Sequence, residues 1–315
     1  MAKGRLLVSI AGWEAEGWVE RFRDMGKGRE VVDAREPYDP ATIDYAAVWK
    51  PAPGSLAGHP KLKAIFNLGA GADAVLADPA LPDVPVVRVV DPDLTARMTE
   101  YVTLNVLMHH RRVAMFRDFQ AGKSWKSPYQ HAAKDLRVGI MGMGELGKDA
   151  AEVLIRLGFQ VAGWSRSGKP VAGVEIYGAD GLDAFLGRTD ILVVLLPLTP
   201  DTRGILNRDL FGRLARDGVN GAPTLINAGR GGLQVEADIL AALDDGTLGA
   251  AALDVFEVEP LPATSPLWSH PRVTITPHNA ADSDPQATGA YILNQIDDFE
   301  AGQPLRNVID RAVGY

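Results

Sequence analysis

Val138-Gly139-Ile140-Met141-Gly142-Met143-Gly144-Glu145-Leu146-Gly147 is the stretch on which the fold turns. Its first four residues read as the end of a buried strand, and residues 146–157 carry the apolar spacing of an amphipathic helix. Between them Gly142, Gly144 and Gly147 make a GxGxxG spacing. A chain that turns sharply from strand to helix, brings its backbone against a diphosphate and packs the helix close on the sheet needs glycine at these three points. The phosphates would lie on the helix N-terminus, where unpaired N–H groups and the helix dipole attract anions. In a chain with 33 glycines the spacing alone means little, and the flanking strand and helix give it weight. Gly142, Met143, Gly144, Glu145, Leu146 and Gly147 are therefore expected to line a dinucleotide.

The next strand, residues 160–164, discriminates between the two pyridine nucleotides. A site for NAD ends this strand in Asp or Glu, which accepts hydrogen bonds from the ribose 2′-hydroxyl. Here the strand runs into Trp164-Ser165-Arg166-Ser167, with no carboxylate. A guanidinium grips a 2′-phosphate through charge-assisted hydrogen bonds, and the hydroxyls of Ser165 and Ser167 add donors. NADP(H) is the cofactor expected. Leu196 and Pro197 at the end of strand 190–196, with Ala228 and Asp254 after later strands, are counted in the same site.

Outward from this unit, short apolar runs alternate with helical-period segments along the 315 residues, the pattern of parallel α/β architecture. Strands are expected at 5–10, 30–33, 45–49, 62–68 and 84–90, then at 136–141, 160–164, 190–196, 223–227, 249–255 and 272–276. Residues 13–25 read as a helix capped by Gly26, and 95–120 as one long helix without proline. Further helices are expected at 146–157, 236–244 and 285–301. The length suits two domains, with a dinucleotide domain of 99–280 inserted into an outer domain of 1–98 and 281–315. Ligands of open α/β sheets bind at strand carboxyl ends, so the cleft between the domains is the expected place for chemistry.

Apolar residues make up 46% and charged residues 23% of the chain, a balance that buries cores without staples. The net charge of −8 argues against nucleic acid and anionic membrane as partners. The absence of cysteine excludes disulfides, thiolate catalysis and Cys-ligated metal. Six scattered histidines suggest no metal site. The N-terminus lacks the apolar stretch of a signal peptide, and the run 191–198 is too short to cross a bilayer, so a cytoplasmic protein is expected.

Three later fragments carry the chemistry. Asn227-Ala228-Gly229-Arg230-Gly231 puts an arginine, flanked by glycines, at a strand end, where it can hold a carboxylate in a bidentate pair and polarise a keto oxygen. Leu253-Asp254-Val255-Phe256-Glu257-Val258-Glu259-Pro260 ends a strand in carboxylates, and Thr276-Pro277-His278 ends another in a histidine. Hydride transfer to a ketone requires a proton at the oxygen, and an imidazolium is its natural donor near neutral pH. A carboxylate behind the ring fixes its orientation and tautomer, and Glu259 is the candidate. Alone, each residue has an ordinary structural explanation: an ion pair for Arg230, a loop position for His278. In the outer domain, the glycine-rich 69–73, with Ala70 and Gly71, offers backbone N–H groups to a carboxylate, and Trp49 is a candidate wall of the same substrate site.

At these motifs, and over nearly its full length, the chain resembles the D-isomer-specific 2-hydroxyacid dehydrogenases. The resemblance implies two doubly wound parallel-sheet domains, a Rossmann cofactor domain inserted into a flavodoxin-like substrate domain. Carried over by motif, Arg230 is similar to the substrate-binding arginine, Glu259 to the glutamate supporting the histidine, and His278 to the acid/base. Asp254 is similar to the aspartate near the nicotinamide carboxamide. Val48-Trp49-Lys50-Pro51, Leu68-Gly69-Ala70-Gly71-Ala72-Asp73, Trp164-Ser165-Arg166 and the ending Asp310-Arg311-Ala312-Val313-Gly314-Tyr315 resemble the branch that reduces glyoxylate and hydroxypyruvate with NADPH. Lys50 stands where that branch commonly has His. Members are usually homodimers paired through the cofactor domain, and Trp125 resembles a residue that reaches the partner. Two alternatives stay open on sequence: a dehydrogenase of a larger keto acid such as phenylpyruvate, and a binding protein that senses the nucleotide.

Overall fold

The computed structural model describes residues 3–12, 14–69 and 71–311; Met1, Ala2, Trp13, Ala70 and the closing Ala312-Val313-Gly314-Tyr315 lie outside the described residues. The chain opens with β1 (Leu6–Ile10), α1 (Ala15–Met25), β2 (Val31–Asp33), β3 (Tyr45–Trp49), β4 (Ala64–Asn67), α2 (Asp73–Leu76) and β5 (Val86–Arg88). There follow α3 (Pro92–His110), α4 (Val113–Ala121), β6 (Arg137–Met141), α5 (Glu145–Arg156), β7 (Gln160–Trp164), β8 (Glu175–Tyr177), α6 (Leu182–Gly187) and β9 (Ile191–Val194). The last elements are α7 (Arg208–Gly212), β10 (Thr224–Asn227), α8 (Glu236–Asp244), β11 (Ala250–Leu253), β12 (Val273–Ile275) and α9 (Pro285–Glu300). The chain divides into two compact units, Met1–Leu94 with Ser283–Tyr315, and Thr95–Asp282.

In the first unit five parallel strands run in the order β2-β1-β3-β4-β5. Alternate residues of each strand face opposite sides, so both faces need cover. Leu6, Val8, Tyr45, Ala47, Ala64 and Phe66 pack on one side under Trp18, Val19 and Phe22 of α1 and Ile292, Leu293 and Ile296 of α9. Leu7, Ala46, Val48 and Ile65 pack on the other, against Ile43, Leu56 and Val75. The apolar spacing of α1 (Ala15, Trp18, Val19, Phe22) is what lays one stripe of that helix on the sheet.

The second unit holds seven parallel strands in the order β12-β11-β10-β9-β6-β7-β8. Strand order reverses between β6 and β9, the crevice in which doubly wound folds bind their ligands. Along β9, Ile191 and Val193 enter one core with Met98, Val102, Val106, Ala150, Ala151 and Leu154. Leu192 and Val194 enter the other, with Phe185, Phe211, Ile239 and Leu243. Burial on both faces explains why these strands read as continuous apolar runs. Each fully buried Phe or Leu contributes about 1.5–3 kcal/mol against exposure.

The structure departs from the sequence expectation at identifiable places. The stretch expected as a single helix over 95–120 is two helices, because Arg112 takes a left-handed backbone (φ 51°) between α3 and α4. The N–H of Arg112 turns back to the carbonyl of His109, which closes α3 with a tight turn and no proline. Gly26 caps α1 as expected, but in right-handed conformation, and the left-handed turn follows it at Lys27 and Gly28. Strand β8 and the short helices α2, α6 and α7 were not anticipated. Their windows are too short for a period to register.

Candidate active site

The glycine loop leaves β6 at the point of strand-order reversal. Gly142 has φ 106°, and a Cβ there would stand 2.7 Å from the carbonyl carbon of Leu195, so neither conformation nor space admits a side chain. At Gly147 a Cβ would overlap the carbonyl of Gly142, which is how close α5 lies to the turn. Gly144 differs: a Cβ would meet nothing within 4 Å. That open side, next to a first helical turn without a side-chain cap, is the cradle a diphosphate needs. Glu145 and Leu146 begin α5, while Met143 is buried and its side chain rests on Gly163 of β7. Leu196 and Ala228 are buried and Pro197 half-buried at the ends of β9 and β10, bordering the same crevice. The residues present fit a dinucleotide.

Trp164 ends β7 buried, and Ser165, Arg166 and Ser167 follow in a turn closed by the Gly168 N–H on the Ser165 carbonyl. Arg166 is exposed, with Nη1 3.7 Å from Asp201 Oδ2. An ion pair exposed on both sides contributes little.

Arg230, Glu259 and His278 come from the loops after β10, β11 and β12, three neighbouring parallel strands. The ladder sets Asn227 beside Leu253 and Leu253 beside Ile275, so all three loops leave the sheet at one level. His278 Nδ1 donates to Glu259 Oε2 at 2.8 Å, and Glu259 Oε1 accepts the Phe256 N–H at 3.1 Å. Both carboxylate oxygens are thus engaged, and the ring is held with Nε2 as its outward nitrogen. His278 itself has φ 54°. Such a backbone costs a non-glycine residue on the order of 1 kcal/mol and persists only where neighbours hold it.

Asp254 is almost fully buried. Burial pushes its carboxyl upward, against hydrogen bonds from Thr276, Ala280 and Asn279 that favour the charged form. The Thr276 hydroxyl donates to Oδ1 at 2.6 Å, and the N–H groups of Asn279 and Ala280 follow at 3.0 and 3.1 Å. Asp254 therefore organises the loop that carries His278.

Sequence reasoning missed two buried amides. Asn227 Nδ2 donates to Gln234 Oε1 at 2.8 Å, and Gln234 Nε2 donates to the Val255 carbonyl at 2.9 Å. Asn227 also takes the Gly229 N–H and reaches the Arg230 carbonyl, so the pair lashes the Arg230 loop to the end of β11. Gly231 lies so close to the Phe256 carbonyl that a Cβ would overlap it. Nothing in the sequence near Gln234 signals this role, which depends on two strands becoming neighbours.

In the first unit, Trp49 ends β3 and its ring covers Gly69, where a Cβ would overlap it. Lys50 turns left-handed (φ 43°) and places Nζ 5.8 Å from the centre of that ring. Asn67, at the end of neighbouring β4, donates to the carbonyls of Gly69 and Gly71 at 2.8 and 3.1 Å. Trp49 and Gly71 are thus brought to adjacent strand ends, while Ala70 lies outside the described residues.

A doubly wound sheet with this glycine loop at its switch point defines a nucleotide-linked oxidoreductase. The model for the D-isomer specific 2-hydroxyacid dehydrogenase, NAD binding domain, matches residues 103–280, and the chain belongs to that family. It is 43% identical over 291 residues to glyoxylate/hydroxypyruvate reductase A of Serratia proteamaculans, covering 90% of this chain and 91% of that one. Among solved structures, an NADPH-dependent glyoxylate/hydroxypyruvate reductase of Sinorhizobium meliloti, in complex with NADP and sulfate, superposes with a TM-score of 0.92. It is 50% identical, with 99% of this chain and 100% of that chain covered. A probable 2-hydroxyacid dehydrogenase of Rhizobium etli, in complex with NADP, HEPES and L(+)-tartaric acid, gives 0.95 at 44% identity over 99% and 100% of the chains. Among the described residues no helix is long and apolar enough to cross a membrane.

Proposed function

We propose that the protein reduces small 2-keto acids, glyoxylate and hydroxypyruvate, to glycolate and D-glycerate with NADPH. The observation that carries this reading is the 2.8 Å pair of His278 and Glu259 on the strand ends next to the Arg230 loop. When bound, the reduced nicotinamide supplies the hydride that the keto carbon takes. Arg230 holds the substrate carboxylate and withdraws charge from the keto oxygen. His278 gives that oxygen its proton from Nε2, while Glu259 keeps the ring oriented through Nδ1. Asp254 holds the histidine loop at the nicotinamide end.

The glycine loop, Trp164, Leu196, Pro197 and Ala228 are assigned to the cofactor, with Arg166, Ser165 and Ser167 on its 2′-phosphate. Trp49, Ala70 and Gly71 are assigned to the keto acid. Residues 99–280 then form the NADP-binding domain, and 1–98 with 281–315 the substrate domain. The similarity to reductases of glyoxylate and hydroxypyruvate, one of them crystallised with NADP, supports both the substrate class and the cofactor. We place the enzyme in the cytoplasm.

A homodimer formed by the second unit completes the proposal. Leu104 on α3, Phe116 on α4, and Trp125 and Tyr129 after it are 56%, 40%, 100% and 76% exposed. Four large apolar side chains exposed over consecutive elements mark a surface that a second copy would cover.

The test measures consumption of NADPH and NADH with glyoxylate, hydroxypyruvate and phenylpyruvate. Highest kcat/KM for the two small acids with NADPH is expected, and Arg166→Gln should narrow the preference for NADPH over NADH by about tenfold or more. Preference for phenylpyruvate would overturn the substrate assignment, and absence of turnover with any keto acid would overturn the activity.

A further inference from the structure

We propose that Tyr101 is a positioning residue for the proton donor, acting through Thr276 and Asp254; the inference rests on the reading of His278 given above. Tyr101 lies on α3 of the second unit, and its hydroxyl is 3.0 Å from Thr276 Oγ1. Thr276 donates to Asp254 Oδ1 at 2.6 Å. A threonine hydroxyl has one hydrogen, and this bond uses it, so the phenol supplies the proton of the Tyr101–Thr276 bond. The three groups form a directed chain from Tyr101 O–H to Thr276 O–H to the Asp254 carboxylate, each link polarising the next.

The far end of that chain is the histidine loop. Asp254 takes the N–H groups of Asn279 and Ala280 with its side chain, and that of His278 at 2.7 Å with its carbonyl. These bonds hold His278 in its left-handed backbone, which a non-glycine residue abandons when released. If Thr276 rotates away, Asp254 loses its shortest partner, and with it the fixed direction of the carboxylate that anchors the loop. Tyr101 prevents the rotation. Burial, with the nearby Asp254 charge, pushes the Tyr101 phenol up to about 12, so the donor keeps its proton across any working pH. The residue is absent from every motif in the sequence, because it meets the site from a helix 175 residues upstream of Thr276.

Full-length Tyr101→Phe, Thr276→Val, Thr276→Ser, the double variant Tyr101→Phe/Thr276→Val, and His278→Ala test the proposal. The readouts are kcat and KM for glyoxylate, NADPH affinity by fluorescence titration, and Tm. Tyr101→Phe is expected to lower kcat about tenfold, the scale of one hydrogen bond, with NADPH affinity and Tm close to wild type. Thr276→Val should fall at least as far and Thr276→Ser should restore kcat. The double variant should be no slower than Thr276→Val, because the chain is already broken there. A Tyr101→Phe kcat within about twofold of wild type, or losses that add in the double variant, would overturn the proposal. So would a fall in kcat accompanied by equal loss of NADPH affinity and a lowered Tm, the signature of a packing role. His278→Ala separates the two layers. If it keeps kcat, the proton-donor reading fails and this proposal with it; if it loses kcat while Tyr101→Phe does not, only the proposal fails.

Discussion

His278 owes its chemistry to what surrounds it. On its own it is an exposed histidine in a loop, and the 2.8 Å bond to Glu259 gives the ring one orientation and one outward nitrogen. The buried amides hold the backbone of the loop that carries Arg230. Gln234→Leu would leave the Asn227 amide and the Val255 carbonyl without their partner, a cost of about 1–3 kcal/mol. The loosened arginine loop should raise KM for the keto acid by about tenfold while NADPH affinity changes little. Steady-state kinetics with a parallel cofactor titration would check this, and an unchanged KM would show that the amides serve stability alone.

At the scale of elements, the β6–α5 turn shows how little freedom a phosphate-binding loop has. Gly144 has space for a ligand, whereas Gly147 has none for even a methyl group. Gly147→Ala would push α5 off β6 and misdirect the N–H groups of its first turn. NADPH affinity is therefore expected to fall by about a hundredfold or more, measured by fluorescence titration. Wild-type affinity in that variant would remove the assigned role of the turn. The division of 95–120 into α3 and α4 belongs to the same scale. Arg112 holds its left-handed turn with its guanidinium on the Tyr129 carbonyl, and Gln130 reaches back to the His110 carbonyl at 3.0 Å. These ties come from residues well beyond the break, so no local pattern announces it.

At the scale of the whole molecule, the first unit is assembled from both ends of the chain. Arg29, fully buried, donates to Glu300 at 2.8 and 2.9 Å, to Asp297 at 2.7 Å and to the Gly4 carbonyl at 2.6 Å. Burial pushes the Glu300 carboxyl up, but the bonds from Arg29 and the Gly4 N–H outweigh it and hold the group below its ordinary value of 4.5. A carboxyl depressed by folding adds stability that is full above its unfolded pKa and is lost as pH falls through the folded one. Glu300→Gln should therefore be less stable than wild type at neutral pH, by about 1–3 kcal/mol. The gap should begin to close as pH falls below the ordinary value of 4.5 and go on closing through the depressed folded value, which urea melts at several pH values would show. A gap constant with pH would mean that charge is not what holds this corner. For the proposed dimer, Phe116→Ser with Trp125→Ser is expected to shift sedimentation from dimer toward monomer at micromolar concentration. A monomeric wild type would end that proposal.

Local sequence determined the parallel α/β class, the dinucleotide turn and the ends of most long elements. Those features rest on period, on glycine's conformational freedom and on strand-end position, which a short window contains. The residues Arg230, Glu259 and His278 were nameable because each sits in a compact motif after a strand. Their common level on the sheet was decided only when β10, β11 and β12 took neighbouring places with Asn227, Leu253 and Ile275 in register. The supports of the site, Asn227 with Gln234 and Tyr101 with Thr276, likewise exist only in the folded chain. A hydrogen bond acts over about 3 Å, and only tertiary structure brings groups that are distant in sequence within that reach.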